Sequence, residues 1–293
     1  MRGWAVVVGI GVTLLGCGPR AVMQVPRAHY VVGSGYELGG VWSYPREDFH
    51  LDETGLASVL PEHRGLTRDG EAYESGAMVA AHRTLQLPSV VRVTNLETGA
   101  SALVRVNDRG PEMRGRVIGL SRRAAAVLGV QPGGAVRVQV EEGMSQALQA
   151  QLGGGAAVVA VAVPRGAVTS EALAPPPGVG QSNVRLAGPG RAASAVVEAP
   201  DMVVTERLPE VVERGSVQPG RLLIRAGSFG RMEYAARLQA RLAGIGARVE
   251  RVPEGRGERY EVVAGPYAGV AAADSALDQA VQAGVGDARI VIE

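Results

Sequence analysis

Residues 142–220 constrain the chain most. They contain no aromatic residue, and they carry the runs Gly153-Gly154-Gly155 and Pro175-Pro176-Pro177. Such a segment cannot bury enough apolar surface to offset the entropy lost on ordering, so it reads as a disordered linker. A flexible coil of roughly 80 residues spans about 50 Å, a long leash. Within it only the Val/Ala-rich run from Ala156 to Val163 has strand character. The linker divides a 293-residue chain into two regions that can each hold a domain.

Charge and residue types exclude several functions. All thirty basic residues are Arg, and 29 acidic residues leave a net charge of +1. That balance offers no global field to hold a nucleic acid. The single cysteine, Cys17, excludes an intrachain disulfide and a cysteine-rich metal site. The four histidines form no pair at ligand spacing, so a His-x-x-x-His zinc enzyme is excluded as well. No metal or other cofactor is expected.

Residues 1–16 have the form of a secretory signal. Arg2 supplies a positive start, and Trp4 to Gly16 is apolar except for Thr13. The run is shorter than the roughly 20 apolar residues of a spanning helix. It ends in Leu14-Leu15-Gly16-Cys17, which resembles the lipobox of bacterial lipoproteins. The resemblance implies a diacylated Cys17 that becomes the new N-terminus and anchors the protein to a membrane. Gly18, where Asp would retain a lipoprotein in the inner membrane, implies the outer membrane facing the periplasm.

Residues 17–53 read as a tether whose aromatics Tyr30, Tyr36, Trp42, Tyr44 and Phe49 pack on the next domain. Residues 54–141 read as a β-rich domain. Val90 to Thr94, Ala102 to Val106 and the alternating Ala135 to Val140 are strands. A helix runs from the N-cap Ser121 through Ala124 to Leu128 and stops at Gly129. Ala77 to Arg83 reads as a helical turn. Residues 221–293 alternate strand and helix in the order βαββαβ, a ferredoxin-like arrangement. That order also describes RNA-binding domains, but their aromatic-rich strand signature is missing.

Residues 77–121 carry a longer pattern. Ala80-Ala81-His82-Arg83-Thr84-Leu85, Val93-Thr94-Asn95-Leu96, Val104-Arg105-Val106-Asn107-Asp108-Arg109-Gly110-Pro111 and Arg116-Val117-Ile118-Gly119-Leu120-Ser121 occur in this order. With Gly55-Leu56-Ala57-Ser58 and Gly40-Val41-Trp42-Ser43-Tyr44-Pro45 upstream, they resemble the rare lipoprotein A (RlpA) family. Gly227-Ser228-Phe229, Tyr260-Glu261-Val262 and Gly265-Pro266-Tyr267 resemble the SPOR domain often fused to it.

The resemblance implies a double-psi β-barrel joined to a SPOR domain. It implies lytic transglycosylase activity on peptidoglycan at the division septum, on glycan strands stripped of their peptides, leaving 1,6-anhydro ends. Divisome proteins are further partners. By match to the family motif, Asp108 is the acid/base, Glu71 a second carboxylate with Glu74 in reserve, and His82 orients the site. A protonated Asp108 needs burial or a neighbouring carboxylate to raise its pKa. Thr94, Asn95, Asn107 and Arg109 are the implied barrel contacts to substrate. Arg225, Ser228, Phe229, Tyr260 and Tyr267 are the implied SPOR contacts to glycan.

The chain departs from the family pattern at three places. Val59-Leu60-Pro61 stands where Trp-Tyr-Gly is usual, Glu112 where Phe is usual, and Gly119 where Asp is usual. In the SPOR region Arg225 stands where Gln is common and Glu261 where Arg is common. Each barrel departure removes an expected cleft contact. The alternative reading is therefore a non-catalytic lipoprotein that binds peptidoglycan through a degenerate barrel. Expansin-like loosening without cleavage is a third reading, disfavoured by Gly119.

Overall fold

The computed structural model describes residues 25–63, 65–153, 207–255 and 257–293. The signal segment, Cys17 and the run at 156–163 lie outside them. A short hairpin comes first, with β1 (Tyr36–Leu38) and β2 (Val41–Ser43) joined at Gly39 and Gly40, both at positive φ. Six strands then close a barrel: β3 (Asp52–Val59), β4 (Val79–His82), β5 (Ser89–Asn95), β6 (Ala100–Asp108), β7 (Arg116–Leu120) and β8 (Ala135–Val140). Their order around the barrel is β4-β7-β3-β8-β5-β6, and β6 pairs back to β4. Two of the pairings, β3 with β7 and β4 with β6, are parallel.

Alternation explains the core. Val91 and Val93, Val104 and Val106, Ile118 and Leu120, Val136 and Val138 recur at every second residue and pack together inside the barrel. Between β7 and β8 lies α1 (Arg122–Leu128). Ser121 accepts the Ala124 amide at its start, and Gly129 ends it in the left-handed conformation.

The expected helical turn over 77–83 is instead strand β4, with all four residues buried. A strand enclosed by neighbours on both faces loses its alternating pattern, so its sequence does not announce it. The expected linker also begins too early and ends too late. Residues after the barrel form α2 (Glu142–Leu152), anchored by Ser145, whose hydroxyl bonds both the amide and the carbonyl of Val90 at 3.0 and 3.1 Å. On the far side β9 (Glu213–Arg214) pairs with Ala100 and Ser101 of β6. Gln218 then donates its amide to the Leu96 carbonyl.

The C-terminal region comprises β10 (Leu222–Phe229), α3 (Met232–Arg241), β11 (Arg248–Glu254), β12 (Gly257–Tyr267), α4 (Val270–Gln282) and β13 (Arg289–Ile292). This is the expected βαββαβ order. The sheet runs β11-β12-β10-β13, all antiparallel.

The two domains do not stand apart. Leu56 and Leu96 of the barrel share one buried cluster with Ile224, Leu277, Ile290 and Ile292. Thr54 Oγ1 donates to the Ile292 carbonyl at 2.8 Å and accepts its amide at 3.1 Å. Arg116, only 6% exposed, makes a bidentate pair with Asp274 of α4 at 2.6 and 2.8 Å. Gly115 is part of the seat, because a Cβ there would lie 2.8 Å from both Ile290 and Leu277.

Candidate active site

Strand β6 carries the site. Its inward residues are core valines, which leaves Arg105 and Asn107 on the opposite face, buried under the loop 66–72. That loop is closed by a Leu66–Ala72 bridge and by the Thr67 amide donating to the Glu71 carbonyl. Gly70 permits the turn at φ +85. Arg27 and His29 of the N-terminal segment bond across it, through the carbonyls of Gly70 and Asp69.

Glu71 is buried and held by Arg105 and Asn107. Arg105 Nε and Nη2 lie 3.2 and 2.5 Å from its carboxylate, and Asn107 Nδ2 lies 2.9 Å away. Asp108 follows at the end of β6, half-buried. Its Oδ1 accepts the amides of Arg68 at 3.0 Å and Arg109 at 2.8 Å, which fixes the carboxylate against the loop. Among the described residues nothing hydrogen-bonds its Oδ2. The structure thus brings Asp108, Asn107 and Glu71 together, as expected.

Asp69 was not singled out from the sequence, yet it is the most perturbed group here. It is fully buried between Thr67 and Glu71. Its Oδ1 lies 2.6 Å from Thr67 Oγ1 and accepts the Glu71 amide at 3.2 Å, while Oδ2 has no partner. Burial, with the charge of Glu71, raises its pKa to about 7. Thr67 Oγ1 is also 3.0 Å from the Glu71 carbonyl, and one hydroxyl has one proton to give. The Thr67 hydroxyl shares its proton between Asp69 Oδ1 and the Glu71 carbonyl.

The remaining sequence candidates lie elsewhere. His82 is buried on β4. Its Nδ1 faces the amides of Thr84 and Leu85, so the network places its proton on Nε2, which donates to Glu53 at 2.9 Å. Its bonds reach none of Glu71, Asn107 or Asp108. Arg109 donates to the Leu85 and Val32 carbonyls, tying the N-terminal segment to the barrel rather than presenting its guanidinium to a substrate. Glu74 pairs with Arg207 at 2.5 Å.

Thr94 and Asn95 are corrected as substrate contacts. Thr94 pairs with Ser101, seven residues from Asp108 along β6, about 23 Å at the rise of a strand. Asn95 is buried and caps α1, donating Nδ2 to Leu128 and Gly129 and accepting the Glu97 amide.

Two tyrosines lie within electrostatic reach of Asp108. The Asp108 charge acts on both Tyr36 and Tyr73, and burial raises the pKa of each. His63 stacks on Tyr73 with ring centres 4.1 Å apart. Tyr36 belongs to the aromatic cluster that the sequence marks for packing, and Tyr73 and His63 carry no sequence signal, since neither adjoins the motif that carries Asp108.

A lytic transglycolase family model matches residues 52–140, and a SPOR domain model matches residues 218–290. The chain is 35% identical over 235 residues to the endolytic peptidoglycan transglycosylase RlpA of Pseudomonas aeruginosa PAO1. That alignment covers 78% of this chain and 66% of the relative, about two thirds of its length. The chain belongs to the RlpA family. An RlpA of the same name from Neisseria meningitidis is 38% identical over 125 residues, covering 42% of this chain and 52% of the relative. One from Vibrio cholerae is 51% identical over 91 residues, covering 30% and 35%.

Set in this RlpA barrel, two of the departures become one. A Cβ at Gly119 would lie 2.5 Å from Leu60 Cδ2 and 3.4 Å from Pro111, so Leu60 occupies the space of a side chain at 119. Glu112 contributes through its backbone, its carbonyl accepting from Arg83 at 3.1 Å. In the SPOR domain Arg225 lies 3.0 Å from Glu261 and 2.5 Å from Glu293, so the two unusual residues neutralise each other. Only Ser228 is openly exposed. Phe229, Tyr260 and Tyr267 pack against the hydrophobic clusters, and Tyr267 donates to the Ile245 carbonyl. Each ring is half-buried, so part of it serves the fold and part faces solvent.

Proposed function

We propose that this protein is an endolytic lytic transglycosylase of peptidoglycan, with Asp108 as acid/base. The observation that carries the reading is the placement of Asp108. One carboxylate oxygen is fixed by two amides and the other has no bond among the described residues, on the rim of a barrel of the family. The glycosidic bond from the muramic C1 breaks with its electron pair going to the leaving oxygen, which takes the Asp108 proton. The muramic 6-hydroxyl oxygen then bonds to C1, and its proton returns to Asp108. One group thus serves both steps, and the strand ends as a 1,6-anhydro sugar. This departs from the two-carboxylate hydrolases, where water closes the reaction.

Glu71 acts through others. By holding Arg105 and Asn107 it fixes the loop whose Arg68 amide orients Asp108. Asp69, neutral below about pH 7, keeps a second negative charge out of that buried cluster. His82 belongs to a separate bond network with Glu53.

Cys17 supports lipid anchoring at the outer membrane, and the SPOR domain supports recruitment to peptide-stripped septal glycan. Several acyl chains make a stable anchor where one does not. The second reading, a barrel that binds without cutting, is favoured by Leu60 filling the space over Gly119.

The test uses residues 18–293 incubated with amidase-stripped and intact peptidoglycan, with mass spectrometry of the soluble fragments. Anhydro-ended products from stripped glycan, lost in a folded Asp108→Asn variant, support the enzyme. Sacculi that retain the protein without releasing products establish the binding protein instead.

A further inference from the structure

A cavity of about 440 Å³ lies where the hairpin, the barrel and the C-terminal domain meet. It is walled by β2, the start of β3, the end of β4, residues 114–117 and the segment from α4 to β13. None of Asp69, Glu71, Asn107 or Asp108 lines it, so it is distinct from the site above.

Its chemistry is specific. Trp42 and Tyr44 stand on the hairpin 58% and 67% exposed, their rings stacked at 6.4 Å and 21°. Large aromatics left in water on a cavity wall offer flat apolar faces with little conformational entropy to lose. Arg46, Arg83, Arg114, Arg116 and Arg289 line the same walls, against the acids Glu53 and Asp287.

The arginines differ in how they are satisfied. Arg116 is consumed by Asp274, and Arg114 bonds the Gly39 carbonyl. Arg83 is half-buried and bonds only the Leu38 and Glu112 carbonyls at 3.1 Å each, so its charge has no carboxylate partner among the described residues. Arg289 approaches Glu53 no closer than 3.6 Å and is more than half exposed. Glu53 is itself engaged by His82. Beyond Glu53, Thr54 and Arg289, which line both spaces, a second cavity of about 270 Å³ continues to Arg137 and Arg225.

We propose that this groove is a binding site for a peptide-free glycan strand, with Trp42 and Tyr44 stacking on sugar faces and Arg83 and Arg289 binding the carboxylates of its muramic residues. The inference rests on the proposed substrate. Hydrolysis of the amide that joins the stem peptide to the lactyl ether leaves a carboxylate on each muramic sugar. Intact strands carry an amide there. Arginine forks pair with a carboxylate through two N–H donors, and an aromatic face takes the apolar side of a pyranose. The groove thus distinguishes stripped strands by charge, and the seating of the C-terminal domain on the barrel completes it.

Residues 18–293 contain one tryptophan, Trp42, which makes the groove its own reporter. In the Asp108→Asn chain, which cannot turn substrate over, Trp42 emission is followed during titration with peptide-free muramic-containing oligosaccharides. Chitin oligosaccharides of equal length lack the carboxylate. The expected result is a saturable change, about tenfold weaker with chitin, weakened by salt, and about tenfold weaker in Arg289→Gln and in Tyr44→Ala. Stripped sacculi that retain the protein with no change in Trp42 emission overturn the groove and leave the proposed function standing. Equal affinity for chitin, or full affinity in both variants, also overturns it. Anhydro products from the wild type, measured separately, decide the enzyme reading on its own.

Discussion

Asp69 makes the folding free energy depend on pH in a direction unusual for a carboxylate. In the unfolded chain an aspartate ionises near pH 4, whereas in the barrel Asp69 ionises at about 7. Between these values the native state holds a proton that the unfolded state has released. Stability therefore falls as pH rises through that window, by about 1.4 kcal/mol per pH unit. Across roughly three units this one residue removes about 4 kcal/mol, a large fraction of the stability of a typical domain.

Asn is the isostere of the protonated side chain. In Asp69→Asn the amide oxygen, placed as Oδ1 is, still accepts from Thr67 and from the Glu71 amide, and the side chain never ionises. Urea unfolding followed by circular dichroism, on both proteins at pH 4, 5, 6, 7 and 8, measures the difference directly. The variant gains on the wild type as pH rises, by about 4 kcal/mol between pH 4 and 8. A difference that stays constant across this range refutes the assignment of a neutral, buried Asp69. A difference with the opposite slope means that the Arg105 charge, rather than burial, dominates the cluster.

Other expectations concern packing. Gly119→Asp drives a side chain into Leu60 and costs about 1–3 kcal/mol, most of which Leu60→Ala in the same chain restores; thermal unfolding of the two single variants and the double variant measures the coupling. Asp274→Ala strips the bidentate partner from Arg116 and, discounted for the exposure of Asp274, costs about 1–2 kcal/mol, read as a lowered urea midpoint. Gly115→Val places a β-branched residue at φ +70 against Ile290 and Leu277; small-angle scattering should show the C-terminal domain released, with a larger radius of gyration. Asn95→Ala lowers stability by about 1–3 kcal/mol without changing product formation per folded molecule, since Asn95 serves α1.

The fold was legible where local chemistry and global structure agree. Ser121 and Gly129 mark α1 because a cap needs a side-chain acceptor and a stop needs the left-handed region. Alternation marked β8 because one face of it meets the core, and valine-rich runs marked β5 and β6. Strand β4 was not legible, because Val79 to His82 are buried on every side and have no polar face to reveal the period. The linker composition misled at its edges. Its small and polar residues include Ser145, whose hydroxyl bonds the edge of β5, and a two-residue strand that extends β6. Neither contact has a local signal, because both partners are distant in sequence. The shared cluster of Leu56 with Ile290 escaped for the same reason: composition reports whether a segment can bury itself, not what it buries against.

The site shows the same limit at the level of pairs. The family motif located Asp108, Asn107 and Glu71, since their spacing on β6 and its covering loop is fixed by the barrel. It misplaced Thr94 and Asn95, which belong to an equally recognisable stretch but lie at the opposite end of the antiparallel β5–β6 pair. A motif carries residues forward without saying which of them the strand direction brings to one end. The departures were legible as losses and illegible as compensation. Gly119 alone reads as a missing cleft carboxylate, but Leu60 fills its space. Arg225 and Glu261 alone read as two lost contacts, but they lie 3.0 Å apart with opposite charge. In both cases one change removes the steric or electrostatic reason to keep the other. Two substitutions that answer each other keep the surface folded while changing the groups it presents. Substrate preference is therefore the property to compare between this chain and its relatives, with the stripped-glycan carboxylate as the variable.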